Sequence, residues 1–267
     1  MKKYLSFFRM RFSMGLQYRT AALAGMTTQF FWGMMEILLY KAFYTANAEA
    51  FPMSFSATVD YIWLQQAFLA VFAAWLLDAD IFDCIVNGNV AYELCRPIGI
   101  YAMWFARSAA NRLSRVLLRC VPILAVALLL PEPYGISIPS SPELFALFPL
   151  SLALSFLVSV SFYMLIYILS FYTISAAGLR LMIASVVEFF SGGGIPLPFF
   201  PDRVRAVLEL LPFASMQNVP LRIYSGSMTG MQMQRAVMLQ FIWLIVLLAV
   251  GKALCAMAQR RVMLQGG

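Results

Sequence analysis

A chain of 267 residues with 62% hydrophobic residues, 12% charged residues and a mean hydropathy of +0.81 is no ordinary soluble domain, since those are about half apolar and about a quarter charged. The absence of histidine removes imidazole acid/base catalysis, Ser-His and Cys-His nucleophile pairs and histidine metal ligation. A formal charge of +7 would raise nucleic-acid binding in a soluble protein, but these basic residues crowd beside apolar stretches and read as membrane-topology signals.

Residues 1–20 hold no acid and place Leu5, Phe8, Phe12 and Leu16 at helical spacing opposite Lys2, Arg9, Ser13 and Gln17, with Arg11 and Arg19 breaking the pattern. This predicts an amphipathic helix lying in the membrane interface; the alternative is plain positive charge ahead of a first span. Six stretches follow that approach the roughly 20 apolar residues a spanning helix needs. They are Ala21–Tyr44, Val59–Leu77, Ser108–Leu130, Glu143–Phe171, Ala176–Gly194 and Ala236–Met257. The expected fold is therefore all-α, a polytopic membrane protein with six transmembrane helices in one integral membrane domain over 1–267. Ala46-Asn47-Ala48 is similar to a signal-peptidase site, but the preceding apolar stretch exceeds the roughly 7–15 residues of a signal peptide. A retained first span is expected.

With both termini cytoplasmic, only Lys41, Arg203, Arg205, Arg222 and Arg235 of the 19 basic residues fall outside, so the positive-inside rule selects that orientation. Cys84, Cys95, Cys120 and Cys255 avoid the expected outer loops, which argues against a disulfide framework.

The connection 78–99 between the second and third stretches has its own structure. Asp80 is an expected N-cap, Asp83 strengthens the first turn, and Asn87-Gly88 supplies a left-handed stop. Ile81, Phe82, Ile85 and Val86 give this short helix an apolar face, and Arg96-Pro97 forces an extended break. Docking to a partner and an ordinary connector are both open readings. In the third stretch Arg112, Arg115 and Arg119 share a face; snorkelling to the headgroups is the expected account, with Arg119 deeper. Ser151, Ser155 and Ser159 recur every four residues in the fourth, a spacing that favours close helix packing.

Glu188 precedes Ser191-Gly192-Gly193-Gly194-Ile195-Pro196-Leu197-Pro198, where a regular helix cannot continue. Broken backbone at membrane depth is tolerated when shielded by protein or lining a water-filled cavity. Asp202, after Pro201, is an expected cap for a helix with Val204, Val207, Leu208 and Leu211 on one side. Residues 195–225 thus read as an outer re-entrant or interface-lying hairpin. Glu188 is either a functional intramembrane acid or an interface residue paired with Arg203 or Arg205. No phosphate-binding G-x-x-x-x-G-K-[ST] loop is present, and Glu36 and Glu188 are the only acids well inside the stretches.

Taken together, the basic amphipathic start, the capped helix running into Gly88-Asn89-Val90-Ala91-Tyr92-Glu93-Leu94-Cys95-Arg96-Pro97-Ile98, and Gly194-Ile195-Pro196-Leu197-Pro198-Phe199-Phe200-Pro201 carry a resemblance. So do Leu211-Pro212-Phe213, Pro220-Leu221-Arg222-Ile223-Tyr224-Ser225-Gly226 and the Gln265-Gly266-Gly267 tail. The chain resembles the type-2 ATP-binding-cassette permeases, in the branch ending in a Gln-Gly-Gly tail. The resemblance implies a non-catalytic permease of an exporter in the bacterial cytoplasmic membrane. It further implies a separate dimeric ATPase subunit that binds the ATP and Mg, and a second permease, identical or a sister subunit. No cofactor, metal or nucleic acid is expected on this chain. The resemblance makes Asp80, Ile81, Phe82, Asp83, Ile85, Gly88, Glu93 and Arg96 the ATPase-coupling candidates. Glu188, Gly192, Gly193, Gly194, Pro196 and Pro201 become outer-gate or pathway candidates. The competing readings are a self-sufficient secondary transporter and a membrane-embedded lipid-modifying enzyme. The substrate is not legible.

Overall fold

The computed structural model describes residues 2–17, 19–139, 141–173 and 175–260; Arg261 and the Gln265-Gly266-Gly267 tail lie outside the described residues. Among these, every regular element is helical. In chain order they are α1 (Lys2–Gly15), α2 (Arg19–Ala46), α3 (Phe55–Ala67), α4 (Leu69–Phe72), α5 (Ala79–Val86), α6 (Val90–Leu94) and α7 (Ile100–Leu129). Then come α8 (Pro142–Leu169), α9 (Ala176–Ser191), α10 (Asp202–Leu210), α11 (Pro212–Met216), α12 (Asn218–Tyr224) and α13 (Gly230–Gln259).

Four of the six apolar stretches fold into long helices, α2, α7, α8 and α13, of 28 to 30 residues each. At 1.5 Å per residue each exceeds the roughly 30 Å hydrocarbon core. Two segments, Ala146–Tyr172 and Gly230–Gln259, are long and apolar enough to cross a membrane on length and composition alone. The other long helices carry charge, Glu36 and Lys41 in α2 and four arginines in α7.

The second and fifth stretches depart from the expected continuous spans. The second is broken into α3, α4 and a 3₁₀ turn at Ala74–Leu76, with Ala73 extended between them. It contains neither glycine nor proline, so the break is imposed by tertiary contacts. The fifth, α9, has only 16 residues and stops where Gly192 turns left-handed at φ 84°, the conformation an added Cβ disfavours.

Two further expectations shift. The cap of α5 is Asp78, whose carboxylate accepts the Asp80 N–H at 3.1 Å; Asp80 lies in the first turn. Asp202 likewise sits inside α10, whose N-cap is Pro201, and Val204 and Val207 face outward while Leu208 is buried. Residues 195–225 are less a loop than a wedge, α11 packing against α8, α9 and α13, and α12 against α3 and α8.

Apolar burial is divided between two main clusters. One gathers Ile81, Phe82, Trp104, Tyr163 and Tyr167 around α5, α7 and α8. The other gathers Ile37, Tyr61, Ile62, Trp63 and Leu221 around α2, α3 and α12. The α8 serines join the bundle, as their spacing predicts: Ser151 donates to Gln240 Oε1 at 2.9 Å and Ser155 to the Met216 carbonyl. Gln240 closes the pattern by donating to the Ser151 and Ser215 carbonyls at 3.2 and 2.9 Å.

Candidate functional site

The α5–α6 elbow is fastened to the bundle at its first residue. Arg107 of α7 reaches Asp78 through Nε at 2.6 Å and Nη2 at 2.9 Å, and Asp80 through Nη2 at 2.6 Å. Asn111 donates to Asp78 at 2.9 Å, and the Asp78 N–H donates to Tyr167 Oη on α8 at 2.8 Å. A bidentate, mostly buried guanidinium–carboxylate pair fixes orientation as well as position. Farther along, the Trp104 indole N–H donates to Glu93, so that candidate serves an internal contact.

Ile81 and Phe82 were expected to face a docking partner, and the structure turns them inward, 1% and 3% exposed. Phe82 lies 5.0 Å from the Tyr167 ring and beneath the Arg180 guanidinium at 5.1 Å. The apolar stripe of α5 is thus consumed by the chain's own core, and Ile85 is half-buried beside it. What projects is Asp83, Val86, Asn87, Gly88, Asn89, Tyr92, Leu94 and Arg96, with Val86 and Tyr92 the most exposed apolar members at 68% and 75%. Gly88 is left-handed, at φ 74°. Burial, reinforced by the Glu93 charge, pushes the half-buried Cys84 thiol up to about 11, so it is a poor nucleophile at neutral pH.

Deeper in the bundle, Arg112 overturns the snorkelling account for that residue. It is 2% exposed, and its Nη1 donates to the carbonyls of Ala70, Val71 and Ala73 at 3.0, 3.2 and 3.1 Å. Its guanidinium stacks 4.0 Å from the Tyr163 ring, while the Tyr163 hydroxyl donates to the Phe72 carbonyl. These two side chains satisfy the backbone groups that the break after α3 releases, as unwound chain away from water requires.

The break after α9 is satisfied in a matching way. The Gly192 carbonyl accepts from Tyr61 Oη at 3.4 Å and Gln217 Nε2 at 3.3 Å, and the Gly193 carbonyl from Gln65 Nε2 at 2.8 Å. A Cβ on Gly192 would approach Tyr61 Oη to 2.9 Å, whereas one on Gly194 would meet nothing within 4 Å. Pro196 is buried and Pro201 exposed. Among the described residues Glu188 forms no ion pair with Arg203 or Arg205, the arginines proposed for it; Arg205 binds Asp202 at 2.7 Å. The Glu188 carboxylate instead lies beside Gly193 and is itself exposed on the bundle surface. Sequence reading missed Arg112, Tyr163, Gln65 and Gln217, because their role exists only once remote carbonyls are brought to them.

The described residues thus form a helical bundle with two segments long and apolar enough to cross a membrane. Residues 30–266 match the family model described as ABC-2 family transporter protein, and the chain belongs to that family. It is accordingly the membrane component of a transporter rather than a catalyst in its own right, and the family implies an ABC ATPase subunit as partner. No curated protein matches the chain.

Proposed function

We propose that this chain is the membrane-spanning permease of an ATP-driven exporter, with both termini cytoplasmic and all six apolar stretches, two of them interrupted, within the bilayer. A separate ATPase dimer docks on the projecting tip of the α5–α6 elbow, and a second permease, identical or sister, completes the pathway. Residues 195–225, with Glu188 at the edge of the break, shape the outer gate.

The observation that carries this reading is the elbow's double nature. Its root is joined to α7 and α8 through the Asp78–Arg107 pair and Tyr167, while apolar Val86 and Tyr92 project from its tip. A movement imposed on the tip is therefore delivered to two long helices. ATP binding elsewhere shifts the permease between inward- and outward-facing populations only if it bears differently on them, and this joint supplies the lever.

The test is the double variant Val86→Ser/Tyr92→Ser. Surface substitutions of this kind change folding stability by about 0.5 kcal/mol or less, so insertion and helix content should be parental. ATPase recovered with the permease from gently solubilised membranes should fall several-fold, and ATP-dependent export with it. Parental ATPase recovery and export would overturn the docking assignment. Transport by the purified chain without any ATPase would overturn the exporter reading.

A further inference from the structure

The packed face of α1 is rotated from the expected one. Leu5 is 61% exposed, and Phe7 and Arg11 turn toward α7. Arg11, the residue that broke the amphipathic pattern, thereby lines a cavity of about 670 Å³ between α1 and α7. Arg107, Asn111, Ser114, Arg115, Leu118 and Arg119 of α7 form the facing wall. Those positions follow one helical stripe, and Arg107 and Arg119 are separated by about 18 Å along the axis.

Charge in this groove is unbalanced. The acids lining it are Asp78 and Asp80, both bound by Arg107. Arg11, Arg115 and Arg119 have no carboxylate partner among the described residues; Arg11 lies 5.5 Å from the Phe7 ring centre. Burial, and then the Arg107 charge, holds the Arg11 guanidinium below its usual range. The Nε atoms of Arg11 and Arg119 are closed off without a hydrogen-bond partner. A snorkelling arginine hydrates its head in open water; these three arginines line a shared groove between helices. The close approach of α1 to α7 is built in, since a Cβ on Gly15 would collide with Ser114 Oγ at 2.1 Å; a Cβ on Gly25 of α2 would likewise lie 2.7 Å from Arg119 Nη2.

We propose that the α1–α7 groove is a binding site for a phosphate group, carried by a lipid headgroup or by a water-soluble phosphate ester. Guanidinium forks match phosphate oxygens bidentately, and three arginines without a carboxylate partner along one groove offer a multidentate site that a carboxylate-rich groove could not. The volume lies within the range of small-ligand sites. Basic pockets between helices on the cytoplasmic side suit phosphorylated headgroups, and the amphipathic α1 offers an apolar wall for an attached chain. Binding is independent of the ATPase and of export, so the site stands or falls separately from the exporter reading.

The full-length chain, purified in a non-ionic detergent, is titrated with phosphatidylglycerol, phosphatidylcholine, glycerol phosphate and inorganic phosphate, and bound species are counted by native mass spectrometry. Arg115→Gln/Arg119→Gln should weaken the tightest phosphate-bearing ligand by about tenfold or more, and Arg11→Gln, altering the opposite wall, should weaken it as well. Lys3→Gln/Arg9→Gln, which removes the same net charge from exposed positions of α1, should retain parental affinity. Arginine-dependent retention of phosphatidylglycerol assigns a lipid headgroup; arginine-dependent binding of glycerol phosphate or inorganic phosphate assigns a soluble source. Parental binding in both groove variants, or an equal loss in the α1 surface control, would overturn the site. Circular dichroism and a single gel-filtration peak confirm that each variant is folded, and Arg11→Gln decides the matter if the double variant is not.

Discussion

The elbow at residues 78–99 and the two backbone breaks deeper in the bundle solve the same problem, holding a short irregular segment against long helices, by opposite chemistry. The elbow is fastened by ions: Arg107 with Asp78 and Asp80, the latter 76% exposed. The breaks are fastened by donors given to backbone carbonyls, Arg112 to Ala70, Val71 and Ala73, and Tyr61, Gln217 and Gln65 to Gly192 and Gly193. The exposed Asp80 arm of that pairing can open at modest cost, because its carboxylate finds hydration, while the Asp78–Arg107 arm is mostly buried. A carbonyl deprived of its donor inside the bundle finds nothing. The elbow thus keeps one fastening that water can loosen, and the breaks keep none.

The comparison is tested most severely at Arg112. Arg112→Met leaves three carbonyls without a donor, and each unsatisfied buried acceptor costs about 1–3 kcal/mol. The expected result is a loss of several kcal/mol, seen as failure to accumulate in membranes or a collapse of the melting temperature in detergent. Arg112→Lys should recover part of it, since a single ammonium keeps the charge but cannot reproduce the guanidinium fork or its stacking on Tyr163. A parental melting temperature for Arg112→Met would show that the break is not held by this residue.

The break after α9 allows a finer test within one tripeptide. Gly192→Ala must adopt a left-handed conformation, which costs about 1–2 kcal/mol, and also presses on Tyr61 Oη. Gly194→Ala meets no neighbour and has no positive φ, so it should change stability by about 0.5 kcal/mol or less. Side-by-side thermal melts check this, and equal effects would mean that the tripeptide is only a flexible spacer. The structure thereby sharpens the simpler expectation that all three glycines act alike.

At the elbow the expected effect on folding is smaller than at Arg112. Asp78→Asn removes one charge from the Arg107 pair but keeps an N-capping side chain, and hydrogen bonds to charged groups contribute about 1.5–3 kcal/mol. Stability should fall within or below that range, because Asp80 still faces Arg107. The larger change should be in coupling, with export per ATP hydrolysed reduced in the reconstituted complex. If Asp78→Asn lowers the melting temperature as much as Arg112→Met, the elbow is as rigid as the breaks and the distinction fails.

Local features carried much of the architecture. Long apolar runs with helical spacing give α2, α7, α8 and α13; Asn87-Gly88 ends α5; and three glycines with following prolines stop α9, because left-handed backbone and missing N–H groups are properties of single residues. The family resemblance rested on the same local signals, read together, and the family match over residues 30–266 accords with it.

Other features were decided by contacts between residues far apart in sequence. The second apolar stretch breaks with no glycine or proline, because Arg112 and Tyr163 take its carbonyls. Ile81 and Phe82 form an amphipathic stripe whichever body they pack against; only the position of Tyr167 turns that stripe inward and leaves Val86 and Tyr92 outside. Arg11, an irregularity in α1, becomes part of a cation cluster once α7 lies beside it. An amphipathic pattern specifies that a face is apolar, and a buried charge demands a partner. Which partner each obtains is fixed only when the folded chain brings the candidates within a few ångströms.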